Sequence, residues 1–185
     1  MELKLTDEQL LELIQLDKES GFRSLMHQYQ EQTYWHIRRM VTTHEDADDV
    51  VQNTFIKVFK NIDKFKGNSK LYTWIYRIAT NESITYLKNR KKRQSESIDD
   101  EEYSIENTLV ADDYFDGNNA QLVLQKAIIA LPEKQKAVFN LRYYEEMPYN
   151  DISEILDTSV GALKASYHHA VKKIEEFIKN GEQHT

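Results

Sequence analysis

The sequence predicts an all-α protein, two small helical domains joined by a flexible acidic linker. Three observations carry that prediction. The 185 residues include only five glycines and two prolines, poor material for sheets and turns. Apolar residues recur at three- and four-residue spacing in a front block and again in a back block, the signature of amphipathic helices. Between the blocks, residues 94–119 ("QSESIDDEEYSIENTLVADDYFDGNN") show no sustained helical period and carry nine acidic side chains with no lysine or arginine.

That acidic stretch resolves a conflict in the composition. A net charge of −7 argues against a polyanionic partner. Setting the nine acids aside leaves 22 acidic against 24 basic residues, so the rest of the chain is about +2. Immediately before the stretch, "LKNRKKR" (87–93) packs Lys88, Arg90, Lys91, Lys92 and Arg93 at a helix end, more cations than the helix dipole alone calls for. With no cysteine the chain forms no disulfide and no thiolate metal site, which fits a reducing compartment. The start, "MELKLTDEQLLELIQ", lacks the basic and apolar regions of a secretion signal, and no run reaches membrane-spanning length. These features point to a cytoplasmic protein.

In chain order, Thr6 and Gln9 form a capping box ahead of Leu10, Leu11, Leu13 and Ile14. A second helix is expected from about Gly21 to Thr42. In "HEDADDVVQNTFIKVFKNIDKF" Ala47, Val51, Phe55, Val58 and Ile62 share one arc of the helical wheel. Asp49, Gln52, Asn53 and Lys60 lie opposite, with Ile56 among them, a mixture typical of a partner-binding face. After the polar loop "KFKGNSK", the helix "LYTWIYRIATNESITYLKNRKKR" gives Leu71, Ile75, Ile78 and Leu87 to a core. It also holds Tyr72, Trp74, Tyr76 and Tyr86 with Arg77 and Asn81, which reads as a stacking platform for unpaired bases beside a basic run.

In the back block, Leu131-Pro132 separates two helices and Asp157-Thr158 separates two more, with Ser159 as a cap. On the last helix Val160, Leu163, Tyr167, Val171, Ile174 and Ile178 form the buried stripe. The other face presents Gly161, Ala162, Ala165, His169 and Lys172, flanked by Lys164 and His168. Small residues allow close approach to base edges, and lysines further along reach phosphates, as in a helix-turn-helix.

Three motifs in this order, "DADDVVQNTFIKVF", "WIYRIATN" and "LPEKQKAVFNLRYYEEMPYNDISEILDTSVGALKASYHHA", resemble the bacterial extracytoplasmic-function (ECF) sigma factors of RNA polymerase. With their spacing they cover most of residues 22–178. The resemblance implies a region 2 domain over 1–93, the acidic linker over 94–119 and a region 4 domain with a helix-turn-helix over 120–185. It implies that Asp48, Asp49, Gln52, Asn53 and Ile56 dock on the β′ clamp of the core enzyme, with the β flap as a second contact. Minus-ten recognition and melting would fall to Lys64, Asn68, Ser69, Trp74, Arg77, Asn81, Lys88, Arg90 and Lys91. Minus-thirty-five reading would fall to Ser159, Gly161, Ala162, Lys164, Ala165, His168, His169 and Lys172. Promoter DNA, core polymerase and an anti-sigma factor are the implied partners, with no cofactor, no metal and no membrane contact. The chain departs from the family's common residues at Ala162, Leu163, Ala165, Ser166 and His169, and at Thr80 and Thr85.

Two other readings compete. An ordinary helix-turn-helix regulator explains the back block but leaves the front motifs as coincidence. An enzyme needs a site, and the six histidines supply none: His168 and His169 diverge as helix neighbours, and the acids around His44 are those expected at a helix start.

Overall fold

The computed structural model describes residues 4–41, 43–96 and 119–182, and among them the fold is helical throughout. The front unit consists of α1 (Asp7–Leu16), α2 (Lys18–Met40), α3 (His44–Asn61), a 3₁₀ turn (Ile62–Lys64) and α4 (Leu71–Glu96). The back unit consists of α5 (Asn119–Ile129), α6 (Glu133–Tyr143), α7 (Tyr149–Leu156) and α8 (Val160–Glu182). Helix enters both ends of the expected linker, because α4 continues to Glu96 and α5 begins at Asn119. Residues 97–118, most of the acidic segment, lie outside the described residues.

The Thr6 capping box forms in both directions: Thr6 Oγ1 accepts from the Gln9 amide at 3.2 Å, and Gln9 Oε1 accepts from the Thr6 amide at 2.9 Å. Helix α2 starts three residues before the expected Gly21, because Asp17 caps it by accepting from the Glu19 and Ser20 amides. Gly21 is therefore inside the helix, where α1 crosses it: a Cβ there would stand 2.4 Å from the Ile14 nitrogen. Its low helix propensity is offset by this backbone contact.

The α3 stripe is buried as its periodicity requires (Ala47, Val51, Phe55, Val58, Ile62), and it packs with Leu10, Leu25, Ile37, Met40, Leu71 and Ile75. In α8, Leu163 and Ile174 are buried, while Val160, Tyr167, Val171 and Ile178 are half-buried. Ala170 joins them, fully buried against the helix α5 cluster. Phe139 of α6 stacks on Tyr167 with ring centroids 5.8 Å apart.

The two units pack on one another. Helices α2 and α4 of the front meet α6 and α7 of the back. Ala137 enters the front core, and Tyr76 enters a cluster with Val138, Leu141 and Met147.

Candidate functional site

Three exposed surfaces gather the residues singled out from the sequence. On α3, Asp48, Asp49, Gln52 and Asn53 face solvent, and Ile56 is 45% exposed. Thr43 caps the helix by accepting from the Asp46 amide at 3.0 Å. Tyr34 holds the His44 ring through Nδ1 at 2.7 Å, and His44 Nε2 reaches Asp48 at 3.3 Å. The first acid of the face is thus held by an i,i+4 partner on α3, His44, which is itself positioned by Tyr34 of α2, a residue that the helical pattern of α3 does not reveal. Asp46 is not available to a metal beside His44, since it accepts from Tyr86 at 2.5 Å and from Arg90 at 2.8 Å.

The second surface is a cleft of about 380 Å³ between α3 and α4, lined by Lys57, Asn61, Lys64, Trp74, Ile78, Asn81 and Glu82. Trp74 forms one wall, its ring 5.3 Å from that of Phe65. Lys64 donates to Asn61 Oδ1 at 3.3 Å, and Lys57 pairs with Glu82. The loop before α4 turns through Gly67 at φ +72°, a left-handed conformation that disfavours other residues. Asn68 is exposed and Ser69 half-exposed on this loop. Asp7 of α1 fixes where the loop ends: its carboxylate accepts from the Leu71 amide at 2.8 Å and from the Tyr29 hydroxyl at 3.0 Å. Burial, with Asp7 alongside, pushes the Tyr29 hydroxyl up to about 12, so it remains a donor.

The aromatic platform expected along α4 divides. Only Trp74 opens onto the cleft. Tyr76 is 2% exposed, covered by the back unit. Tyr72 donates to Asp151 of α7, and Tyr86 is spent on Asp46. These three rings lie in packed contacts because α4 meets a different neighbour on each side, which α4's own periodicity cannot report. The cations divide too. Arg77 and Lys88 are exposed on the helical face that carries Asn81. Arg90 joins α4 to the start of α3 through Asp46, and Lys91 pairs with Glu133 across the units.

The third surface is the outer face of α8. Gly161, Ala162, Lys164, Ala165, His168, His169 and Lys172 are all exposed. Ser159, also exposed, caps the helix by accepting from the Ala162 amide at 3.3 Å. The preceding turn passes through Asp157 in the left-handed region, at φ 49°, which sets the angle between α7 and α8. Lys164 lies 5.9 Å from the centre of the Tyr149 ring.

Comparison with known proteins matches Sigma-70 region 2 to residues 25–93 and Sigma-70 region 4 to residues 121–174. The ECF RNA polymerase sigma-E factor of Haemophilus influenzae is 34% identical over 184 residues, spanning 95% of this chain and 97% of that protein. The chain belongs to the ECF sigma factors. The sigma-E factor of Escherichia coli is 30% identical over 187 residues, covering 97% of each chain. Two solved structures share the fold. One is the sigma factor RpoE of Bartonella quintana with the anti-sigma factor NepR (TM-score 0.66, 20% identity, 85% of this chain and 96% of that one). The other is CnrH with the cytosolic domain of CnrY (TM-score 0.67, 19% identity, 92% and 96%).

As a sigma factor, the protein directs RNA polymerase core to promoters and assists DNA opening. The region 2 match takes in α3, the Gly67 loop and α4 up to Arg93, and therefore the first two surfaces. The region 4 match takes in α6, α7 and the exposed face of α8. Its relatives are transcription initiation factors. No described helix is long and apolar enough to cross a membrane.

Proposed function

We propose a division of labour among the three surfaces, within a front domain of residues 1–93 and a back domain of residues 120–185. The α3 face (Asp48, Asp49, Gln52, Asn53, Ile56) docks on the polymerase clamp, where an isoleucine ringed by acids and amides suits a mixed partner surface. The cleft receives a base extruded from the non-template strand at the minus-ten element. Trp74 offers a ring face for stacking, Asn81 an amide for the base edge, and Lys64 a cation for the flanking phosphate. Asn68, Ser69, Arg77 and Lys88 guide the strand toward it. Arg90 and Lys91, engaged with Asp46 and Glu133, serve there only after releasing those partners.

The α8 face reads the minus-thirty-five element, with Ala162, Ala165 and His169 at base edges and Lys164 and Lys172 on phosphates. The chain acts by binding and positioning, in the cytoplasm, and its chemistry is that of the polymerase. An anti-sigma partner is supported by the structural relative RpoE, solved with the anti-sigma factor NepR. The β flap is the expected contact of the back domain.

The observation that carries this reading is the convergence on one cleft of Lys64, from the 3₁₀ turn, with Trp74 and Asn81, two turns apart on α4. Permanganate footprinting with core polymerase tests it. Trp74→Ala should lower thymine reactivity at the minus-ten element while leaving duplex binding by the holoenzyme intact. Unchanged reactivity would make Trp74 a packing residue.

A further inference from the structure

The front and back domains are joined by a set of polar contacts that none of the three surfaces uses. Glu145, just past the end of α6, accepts from the Arg39 guanidinium at 2.8 Å with one oxygen and from the Tyr76 hydroxyl at 3.0 Å with the other. The Arg39 guanidinium also sits 4.5 Å from the centre of the Tyr144 ring. Asp151 of α7 takes Tyr72 and Lys70 together, the lysine at 3.3 Å. Asn140 donates to the Arg39 carbonyl at 3.1 Å. Two carboxylates of the back domain therefore hold four donors of the front domain.

The same contact contains groups that are poorly served by closure. Lys136 is buried at the joint, and burial pushes its ammonium down to about 8. Asn140 Oδ1 is buried without a partner, which costs free energy that opening to water recovers. An interface that combines good ionic contacts with such penalties is suited to reversible opening.

Closure leaves the α3 face, the Trp74 cleft and the α8 face open, so it does not work by covering them. It works through distance. Elements centred about 25 base pairs apart are about 85 Å apart along B-DNA at 3.4 Å per step. A compact chain of 185 residues has a radius of gyration of about 16 Å and a diameter of about 40 Å. In the closed arrangement the α4 and α8 surfaces cannot occupy both elements.

We propose that Glu145 and Asp151 form an interdomain latch that keeps the free sigma factor closed, and that releasing it is a required step in using a two-element promoter. The promoter part rests on the functional reading above, whereas the latch itself does not.

The experiment uses the full chain. It has no cysteine, so cysteines placed at the exposed Glu12 and Glu175 take a donor and an acceptor dye selectively. The wild-type sequence so labelled should give one high-transfer population in the absence of partners. Adding Glu145→Gln and Asp151→Asn should raise the ratio of low- to high-transfer molecules on the order of tenfold or more, since each removes a charge-assisted contact. Far-ultraviolet circular dichroism should match wild type, so that opening is not mistaken for unfolding. A free wild-type chain already in the low-transfer state overturns the proposal, and so does a variant with the wild-type distribution.

The promoter step is tested with Lys70→Cys and Asp151→Cys bridged by a reducible bis-maleimide. The bridged chain should initiate at least tenfold less than the same sample after reduction, on a fragment bearing both elements. Equal initiation before and after reduction overturns the required opening. Because the transfer measurement needs neither promoter nor polymerase, it refutes or supports the latch whatever becomes of the surface assignments.

Discussion

Acidification should destabilise this fold through one histidine. His36 of α2 is fully buried, with Nε2 2.8 Å from Thr80 Oγ1 on α4 and its ring 4.9 Å from that of Tyr76. Burial first, and then the neighbouring Arg39 charge, push the imidazole down to about 3 from an ordinary 6.5. The folded value is depressed, so the unfolded chain binds the extra proton. Stability from this site is complete above about pH 6.5 and is lost as pH falls toward 3. At pH 5 the unfolded histidine has gained about 1.5 pH units of protonation free energy, at 1.36 kcal/mol each, so the loss is about 2 kcal/mol.

Urea unfolding of the wild type and of His36→Gln at pH 7.5 and pH 5.0 isolates the term. Glutamine keeps a polar group near Thr80 but does not titrate. The wild type should lose about 2 kcal/mol more between the two pH values than the variant does. Identical pH dependence in the two proteins would refute the linkage argument, and it would mean that His36 reaches water in the folded state.

Other substitutions test the surfaces and their supports. Asp7→Ala removes the acceptor for both the Leu71 amide and the Tyr29 hydroxyl. It should cost about 1–2 kcal/mol in thermal or chemical unfolding, and a wild-type melting temperature would show that the α4 start is held otherwise. Ile56→Glu alters an exposed position, so it should weaken core binding in a pull-down or titration while leaving helicity intact. Full core affinity would remove the α3 face from the contact. Ala165→Arg and His169→Ala should change which promoters are used from a randomised library, whereas Lys172→Ala should weaken all of them and reduce the salt slope by about one phosphate. The opposite pattern would mean that α8 is rotated in the groove.

The parts of this structure that were legible in the sequence are those governed by spacing within one helix. The α3 arc, the exposed Ile56, the Thr6 box and the α8 face all follow from three- and four-residue periodicity or from a cap one turn away. What stayed hidden depends on partners far away in the chain. Asp7 caps α4 across 64 residues, Glu145 meets Tyr76 across 69, and His36 meets Thr80 across 44. Thr80 shows the difficulty in one residue. It stood out from the sequence only as a departure from the family's common residue, and the structure shows it buried against a neutral histidine, where a charged side chain would be costly. The excess of tyrosines on α4 was visible, but a tyrosine that stacks on a base and one that donates to a carboxylate of another helix look alike in sequence.

Reconstituted initiation shows whether the chain directs core polymerase to promoters. Purified chain, core RNA polymerase and a library of promoter fragments are combined, and the 5′ ends of the transcripts are mapped. Core alone should give no defined start, and adding the chain should give one start at a fixed distance from a shared pair of elements. Trp74→Ala and Ile56→Glu should each reduce that product. Sequence-specific binding of the chain to DNA without core, together with no defined start when core is present, would contradict a sigma-factor role and favour a helix-turn-helix regulator.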